Sequence, residues 1–384
     1  MEILMVQMTG NYPLDIGGPA TVAYYIAYNL ALRNVEVSML IRIKEQNELK
    51  ELRKTSEFQI LEEKINIIPV TMKYDFKNMV NIPAVLYKIY KVTRDFNPEK
   101  YDIIHYNSPP VDITLLYPLK SKGKTKQTIA IHGGLFYESG NFIGRSIMRR
   151  YSNLFQRVIA LNEFSKKLAL KAGFVESIIE KIPNGVDIDY FNKVNKISLD
   201  GDPSLVYAGR LTKVKGVDIL LEAFHLFLKT HPKAHLYVIG NGKERAYLAK
   251  LVERLNLSEN VTFTGFIPSI RKVHEFIKSA DIFVLPSYME NFSISLLEAM
   301  ASKTPIIASD AEGNLEVLVG KTALFFRRGD SRDLAEKIRV LAEDEEYRSK
   351  LAEEAYNLAI KEYSWDVVTN RYLQVFQNLV GESR

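Results

Sequence analysis

Along the chain, short runs of branched apolar residues alternate with longer segments whose apolar positions recur every three or four residues. The short runs predict strands at 3–8, 35–41, 65–70, 101–106, 128–131 and 158–161, with helices between them, the first over 20–32. A second series predicts strands at 205–208, 236–239, 261–264, 282–285, 306–309 and 323–326, followed by two helices within 330–361. The segment 364–379 carries Trp365, Val368, Tyr372, Val375, Phe376 and Leu379 at helical spacing. Residues 42–64 are charged and show no clear period. Alternation of this kind predicts parallel sheets of βαβ units. The expected fold class is therefore α/β, with two Rossmann-like doubly wound domains facing each other across a cleft. A tight turn at 182–187, I-P-N-G-V-D, and a polar stretch from Asn192 place the junction near 184–202. The first domain is expected at 1–190 and the second at 191–363, with 364–384 packing back on the first.

At 384 residues the chain is too long for a single core, which supports the division into two. The absence of cysteine excludes disulfides, thiolate metal sites and cysteine nucleophiles. No apolar run approaches the roughly 18 residues that span a bilayer. The opening M-E-I-L-M-V-Q-M begins on a strand-like run without a basic leader, so a cytoplasmic protein is expected. A net charge of +5 permits attraction to phosphates or an anionic membrane and makes no case for nucleic acid.

Chemistry concentrates where predicted strands end and helices begin. The stretch 290–298, E-N-F-S-I-S-L-L-E, puts Glu290 in the loop after a strand and Glu298 in the second turn of the next helix. Between them Asn291, Phe292 and Ser293 offer backbone N–H groups at a helix N-terminus, which favours an anionic or hydroxyl-rich ligand. Glu290 also suits a plainer role as a partner of the helix dipole. In G-R-L-T-K-V-K-G, 209–216, Gly209 ends a strand, Arg210 offers a planar fork for a phosphate, and Lys215 adds a point charge. The two cations with a helix N-terminus make a diphosphate site that requires no metal, whereas Lys213 reads as solvated.

Gly17 and Gly18 precede a helix and permit close backbone approach to a phosphate or sugar, although turns use the same letters. His132 ends a strand, where it can reach a sugar hydroxyl or serve the structure; His105 has a similar, weaker position. His225, His231, His235 and His274 scatter through helices and helix ends and form no metal cluster. Gly240, Asn241 and Gly242 nearly match a dinucleotide fingerprint, but Arg245 replaces the third glycine, so a tight turn beside a ligand is expected and NAD is not. Asp187 and Asp189 read as cap or turn residues rather than metal ligands. The segment 145–157 mixes Arg145, Arg149, Arg150 and Arg157 with apolar residues. It reads either as a basic amphipathic helix that docks on an anionic membrane or as an ordinary packed surface helix. Lys120, Lys122, Lys124 and Lys126 read as a solvated loop.

Together these residues resemble the retaining glycosyltransferases of family 4, which have the GT-B fold. The resemblance spans nearly the whole chain and rests on G-R-L-x-x-x-K-G at 209–216, E-x7-E at 290–298 followed by Ala299-Met300-Ala301, the turn at 182–187, Tyr363-Ser364-Trp365, the glycine pair and His132. It implies a nucleotide-diphosphate sugar held mainly by the second domain, an acceptor glycan or lipid-linked glycan on the first, and no cofactor or metal. By the same resemblance Arg210 and Lys215 neutralise the leaving diphosphate, and Glu298 accepts from the ribose. Glu290 with the backbone at Phe292–Ser293 holds the sugar, Gly18 approaches the diphosphate, and His132 lies near the reacting carbon. Base contacts fall to Gly240, Asn241, Phe266 and Ile267. Many members carry glycine where Ser293 stands, which alters the sugar pocket. Glucan polymerases of the glycogen-synthase kind carry a lysine beside the glycine pair, where this chain has Ile16. They remain a rival reading, as do a nucleotide-sugar epimerase and a non-catalytic sugar-binding protein.

Overall fold

The computed structural model describes residues 1–7, 18–71, 97–107, 124–132, 149 and 152–381. The chain forms two compact units, one of residues 1–184 with 365–384 and one of residues 185–364. The first holds a parallel sheet of β1 (Glu2–Gln7), β2 (Glu36–Ile43), β3 (Asn66–Thr71), β4 (Ile103–Tyr106), β5 (Lys126–Ile131), β6 (Arg157–Ala160) and β7 (Ile179–Lys181), in the order β3-β2-β1-β4-β5-β6-β7. The second holds β8 (Ser204–Ala208), β9 (His235–Ile239), β10 (Val261–Gly265), β11 (Ile282–Leu285), β12 (Ile306–Ser309) and β13 (Leu324–Phe326), in the order β10-β9-β8-β11-β12-β13. Each sheet reverses its strand order once, between β1 and β4 and between β8 and β11. Such reversals are where doubly wound sheets bind ligands, because the loops leaving the two neighbouring strands diverge there.

Near-continuous apolar strands are what a sheet covered on both faces requires. Every residue of β8, β11 and β12 is buried, and Val206 lies in register between Tyr237 and Phe283. Helix Val217–Leu228 packs on Ser331–Glu343, and Ile294–Ala301 packs on both Ile270–Ser279 and Glu345–Leu358. The predicted strands all lie within two residues of those observed, except that Met8 falls outside the described residues. Residues 42–64 resolve into two short helices, Gln46–Leu52 and Ser56–Lys64, which bury only Leu52, Phe58 and Leu61. The three-residue edge strand β7, with no buried residue, carries no pattern to read.

The chain passes between the units at Asn184–Gly185 and again at Ser364–Trp365. There Val186 pairs with Ser364, and its N–H donates to the Tyr363 carbonyl at 2.7 Å. Helix Trp365–Gly381 then packs on Gly18–Ala31 within the first unit. Trp365 stacks on Tyr25 with ring centroids 5.1 Å apart, and Arg33 pairs with Asp366. Trp365 is the sole tryptophan, so its emission reports on this packing. Tyr25→Ala should red-shift that emission and lower the stability of the first unit by about 0.5–1.5 kcal/mol beyond the lost buried area. Urea denaturation followed by fluorescence checks both; an unshifted spectrum would contradict the stacking.

Candidate active site

In the second unit the loops after β8 and β11 meet at the reversal of strand order. Beyond Ala208 the chain runs through Gly209 and Arg210 into a single 3-10 turn, Lys213–Lys215, and Gly216 at φ +62° turns it into helix Val217–Leu228. Lys215 thus sits in the turn before the helix rather than in its first turn. A side chain at Gly216 would strike the Pro286 carbonyl, since its Cβ would lie 2.2 Å from that oxygen. The Tyr288 N–H donates to the Val214 carbonyl at 2.8 Å and binds the two loops together.

This close approach brings Lys215 Nζ to 2.5 Å from Glu290 Oε1, with side-chain exposures of 18% and 7%. The same carboxylate oxygen accepts from Ser287 Oγ at 2.7 Å. Ser309 Oγ donates to the Ser287 carbonyl at 2.5 Å, and Asn314 Nδ2 donates to both Ser309 oxygens at 3.1 Å. Gly313 admits the Glu290 and Asn291 carbonyls, which would lie 2.4 and 2.3 Å from a Cβ placed there. Glu290 is therefore engaged by a cation and a hydroxyl and buttressed from the next loop. The Arg210 guanidinium is exposed, while its carbonyl accepts from the Tyr207 hydroxyl at 2.9 Å. Burial first, and then the Glu290 carboxylate, raise the Tyr207 pKa, which keeps that hydroxyl a donor.

The near-fingerprint at 240–242 has a backbone explanation. Gly240, at φ +128°, lies against the Gly209 carbonyl, 1.9 Å from where its Cβ would be, and Gly242 lies as tightly against Leu211. Asn241 accepts from the Leu211 N–H at 2.9 Å and is exposed, as are Arg210 and Phe266, the last at 59%. Ile267 is half-buried against the core. Gly209, Gly240 and Asn241 thus belong to one backbone layer beside Arg210.

Ser293 precedes helix Ile294–Ala301, whose Leu296, Leu297 and Met300 are buried. The Ser293 hydroxyl bonds Ser295 rather than capping the helix, and Phe292 packs edge-on against Tyr363. Glu298 Oε1 lies 3.2 Å from His274 Nε2, and His274 Nδ1 lies 3.0 Å from the Tyr190 hydroxyl. No role for His274 or Tyr190 was legible in the sequence, where they stand 24 and 108 residues from Glu298 along the chain; nor was one for Ser287, Ser309 or Asn314. Asp187 accepts from the Tyr190 N–H and caps the short helix Ile188–Asn192, in keeping with its turn role. His235 corrects one expectation, because it opens β9 rather than lying in a helix.

In the first unit, Gly18 opens helix Gly18–Ala31, and Gly17 lies outside the described residues. Asn107, directly after β4, donates to Gln7 Oε1 at 2.8 Å and to the Pro19 carbonyl at 2.7 Å. Its Oδ1 lies 3.1 Å from His132 Nε2. His132 is only partly buried as a residue, yet desolvation of its ring pushes its pKa down to about 4. His105 turns out to be a core residue: it is fully buried, bonds Thr128 Oγ1 at 2.8 Å, and packs against Tyr372 and Phe376. Burial, and then His132, lower its pKa to about 3. Of the basic segment 145–157, residues 145–148, 150 and 151 lie outside the described residues. The remainder does not continue a helix into β6: Ser152–Leu154 is a 3-10 turn, Phe155 is buried against Tyr106 and Phe174, and Arg157 begins β6. Among the described residues no three His, Asp or Glu side chains converge as a metal-binding group.

The matches to known proteins follow the same division. Residues 190–358 match the family model for glycosyl transferases group 1, and residues 16–190 match that for glycosyltransferase family 4. The two models between them run from 16 to 358, and the chain belongs to this family of glycosyltransferases. Similar proteins include an alpha-D-kanosaminyltransferase of Streptomyces kanamyceticus, 29% identical over 48% of this chain and 48% of that one. Another is the N,N'-diacetylbacillosaminyl-diphospho-undecaprenol alpha-1,3-N-acetylgalactosaminyltransferase of Campylobacter jejuni, 30% identical over 57% of this chain and 58% of that one. The alignments span about half the length of these relatives. Among solved structures, HepE of Anabaena in complex with UDP superposes with a TM-score of 0.75 at 19% identity, covering 98% of this chain and 100% of that one. Sucrose-phosphate synthase of Thermosynechococcus elongatus gives 0.77 at 20% identity, covering 99% of each. These likenesses establish the GT-B fold.

Both His105 and His132 ionise less readily in the fold than at their ordinary pKa near 6.5. Their contribution to stability is complete above about pH 6.5 and is lost as pH falls towards the folded values, because the unfolded chain then binds more protons. Urea unfolding across pH 7 to 4 should show a shallower loss in His105→Gln than in the parent, whatever the difference at pH 7. Parallel profiles would contradict the buried neutral ring.

Proposed function

We propose that the protein is a retaining glycosyltransferase. It would move a hexosyl group from a UDP- or GDP-sugar to a hydroxyl of a glycan or lipid-linked acceptor, without a metal ion. The observation that carries this reading is the Lys215–Glu290 pair beside exposed Arg210 at the strand-order reversal of the second sheet. Cleavage of an anomeric bond places negative charge on the departing diphosphate, so cations already fixed in place favour the transition state over the ground state. On this reading Arg210 and Lys215 supply the positive charge that a divalent ion would otherwise supply.

Glu290 Oε1 accepts from Lys215 and from Ser287, which suits it to orient the cation and accept from a sugar hydroxyl rather than attack carbon. Retention then follows from attack on the face the diphosphate leaves, with a phosphate oxygen taking the acceptor's proton. Glu298 holds the ribose, and Asn291, Phe292 and Ser293 offer backbone to the sugar. Gly240, Asn241, Phe266 and Ile267 border the base. The family resemblance assigns acceptor binding to the first unit. The Campylobacter relative, named for a diphospho-undecaprenol substrate, supports a lipid-linked acceptor and hence work at the inner face of the membrane. No helix among the described residues is long and apolar enough to cross that membrane.

The test is turnover of UDP- and GDP-sugars in the presence of a chelator, against water and against glycan, α-glucan and polyprenyl-linked acceptors. Arg210→Ala should lower kcat/KM about 100- to 1,000-fold, the usual loss when one fixed transition-state donor is removed. NMR of the product should show the donor's anomeric configuration. Inversion, a glycosyl group trapped on Glu290, or activity only with added metal would each contradict the mechanism.

A further inference from the structure

Helices Ile188–Asn192, Ile270–Ser279 and Ile294–Ala301 each contribute one member of a polar chain, Tyr190–His274–Glu298, that the proposed chemistry leaves unused. We infer that Tyr190 and His274 are positioning residues which aim the Glu298 carboxylate, and that through it they make the site selective for ribonucleotide over deoxyribonucleotide donors. The inference rests on the reading of Glu298 as the acceptor of ribose hydroxyls.

The direction of the chain follows from what each group can do. A carboxylate only accepts, so His274 Nε2 carries the proton given to Oε1 at 3.2 Å. The other ring nitrogen, Nδ1, lies 3.0 Å from the Tyr190 hydroxyl, so the ring is tied by a hydrogen bond on each side. The ring plane is held as well, with the Phe191 ring centroid at 4.6 Å and that of Tyr190 at 5.4 Å. His274 is 6% exposed, so water does not compete freely for its nitrogens. Among the described residues Glu298 Oε2 accepts no hydrogen bond, while Oε1 is held. One oxygen is thus fixed by the protein and the other is presented in a set direction. A partly buried acceptor held in this way rejects an analogue that lacks the matching hydroxyl far better than one free to rotate into water. Tyr190 stands five residues beyond Gly185, where the chain enters the second unit, so the connector itself supplies the first member.

The experiment is calorimetric titration of the full chain with UDP, GDP and ADP, and with the 2′- and 3′-deoxy forms of whichever binds. The parent should prefer the ribonucleotide over at least one deoxy form by about tenfold or more. In His274→Ala that preference should collapse towards unity through loss of ribonucleotide affinity, while affinity for the deoxy form stays within about twofold. His274→Gln, which keeps a donor, should restore part of the preference, and Tyr190→Phe, which preserves packing, should reduce it. Equal weakening of both ligands in His274→Ala, or an unchanged ratio in both His274→Ala and Tyr190→Phe, overturns the inference. Glu298→Gln separates the two ways of failing. If it alone abolishes the preference, the positioning chain is refuted and the ribose role stands. If it leaves the preference intact, the ribose role itself is refuted.

Discussion

Two opposite charges withdrawn from water at the edge of a parallel sheet set the terms for the second unit. A buried ion pair is a poor way to stabilise a fold, since the loss of hydration offsets most of the attraction between the partners. Lys215 and Glu290 are held together only because further groups share the burden: Ser287 bonds the same carboxylate oxygen, and Ser309 and Asn314 fix Ser287 in turn. A structure that draws three strand-to-helix segments, those after β8, β11 and β12, onto one such pair keeps an ammonium group fixed in place before any ligand arrives. Fixed charge of that kind is what a leaving diphosphate requires.

The pair depends on the backbone being able to crowd. Gly216 against Pro286, Gly240 against Gly209, Gly242 against Leu211 and Gly313 against Glu290 bring successive βα loops closer than any side chain would allow. The crowding has two effects. It brings Lys215 from the loop after β8 to Glu290 from the loop after β11, two strands adjacent only because the order of the sheet reverses between them. It also leaves Arg210 and Asn241 exposed at that backbone layer.

Strands were legible wherever both faces are covered, because a run such as Ile282-Phe283-Val284-Leu285 has no polar position to mislead. The same rule explains what was missed: β7 is a short exposed edge, and the helices of 42–64 bury too little to set a period. Motif letters marked Arg210, Lys215, Glu290 and Glu298, because ligand chemistry constrains residue type at short spacing. They could not show that Lys215 and Glu290 touch, since that contact spans 75 residues and exists only once the sheet has formed. In the sequence His274 reads as one of several scattered histidines for the same reason, because its partners come from helices before and after it. His105 erred the other way, because a strand end that suggests a ligand can equally lie under a packed helix, here Trp365–Gly381.

The most direct test of the central claim is whether a nucleoside diphosphate binds without metal at Arg210 and Lys215. Thermal unfolding of the parent, Arg210→Ala and Lys215→Ala with UDP, GDP and ADP in chelator reads this directly. A ligand at a hundredfold excess over its Kd stabilises the fold by about 2.7 kcal/mol. One base should raise the parent's Tm clearly and raise that of either variant much less. No shift from any of them, or an equal shift in all three proteins, would mean that the buried pair serves something other than a diphosphate.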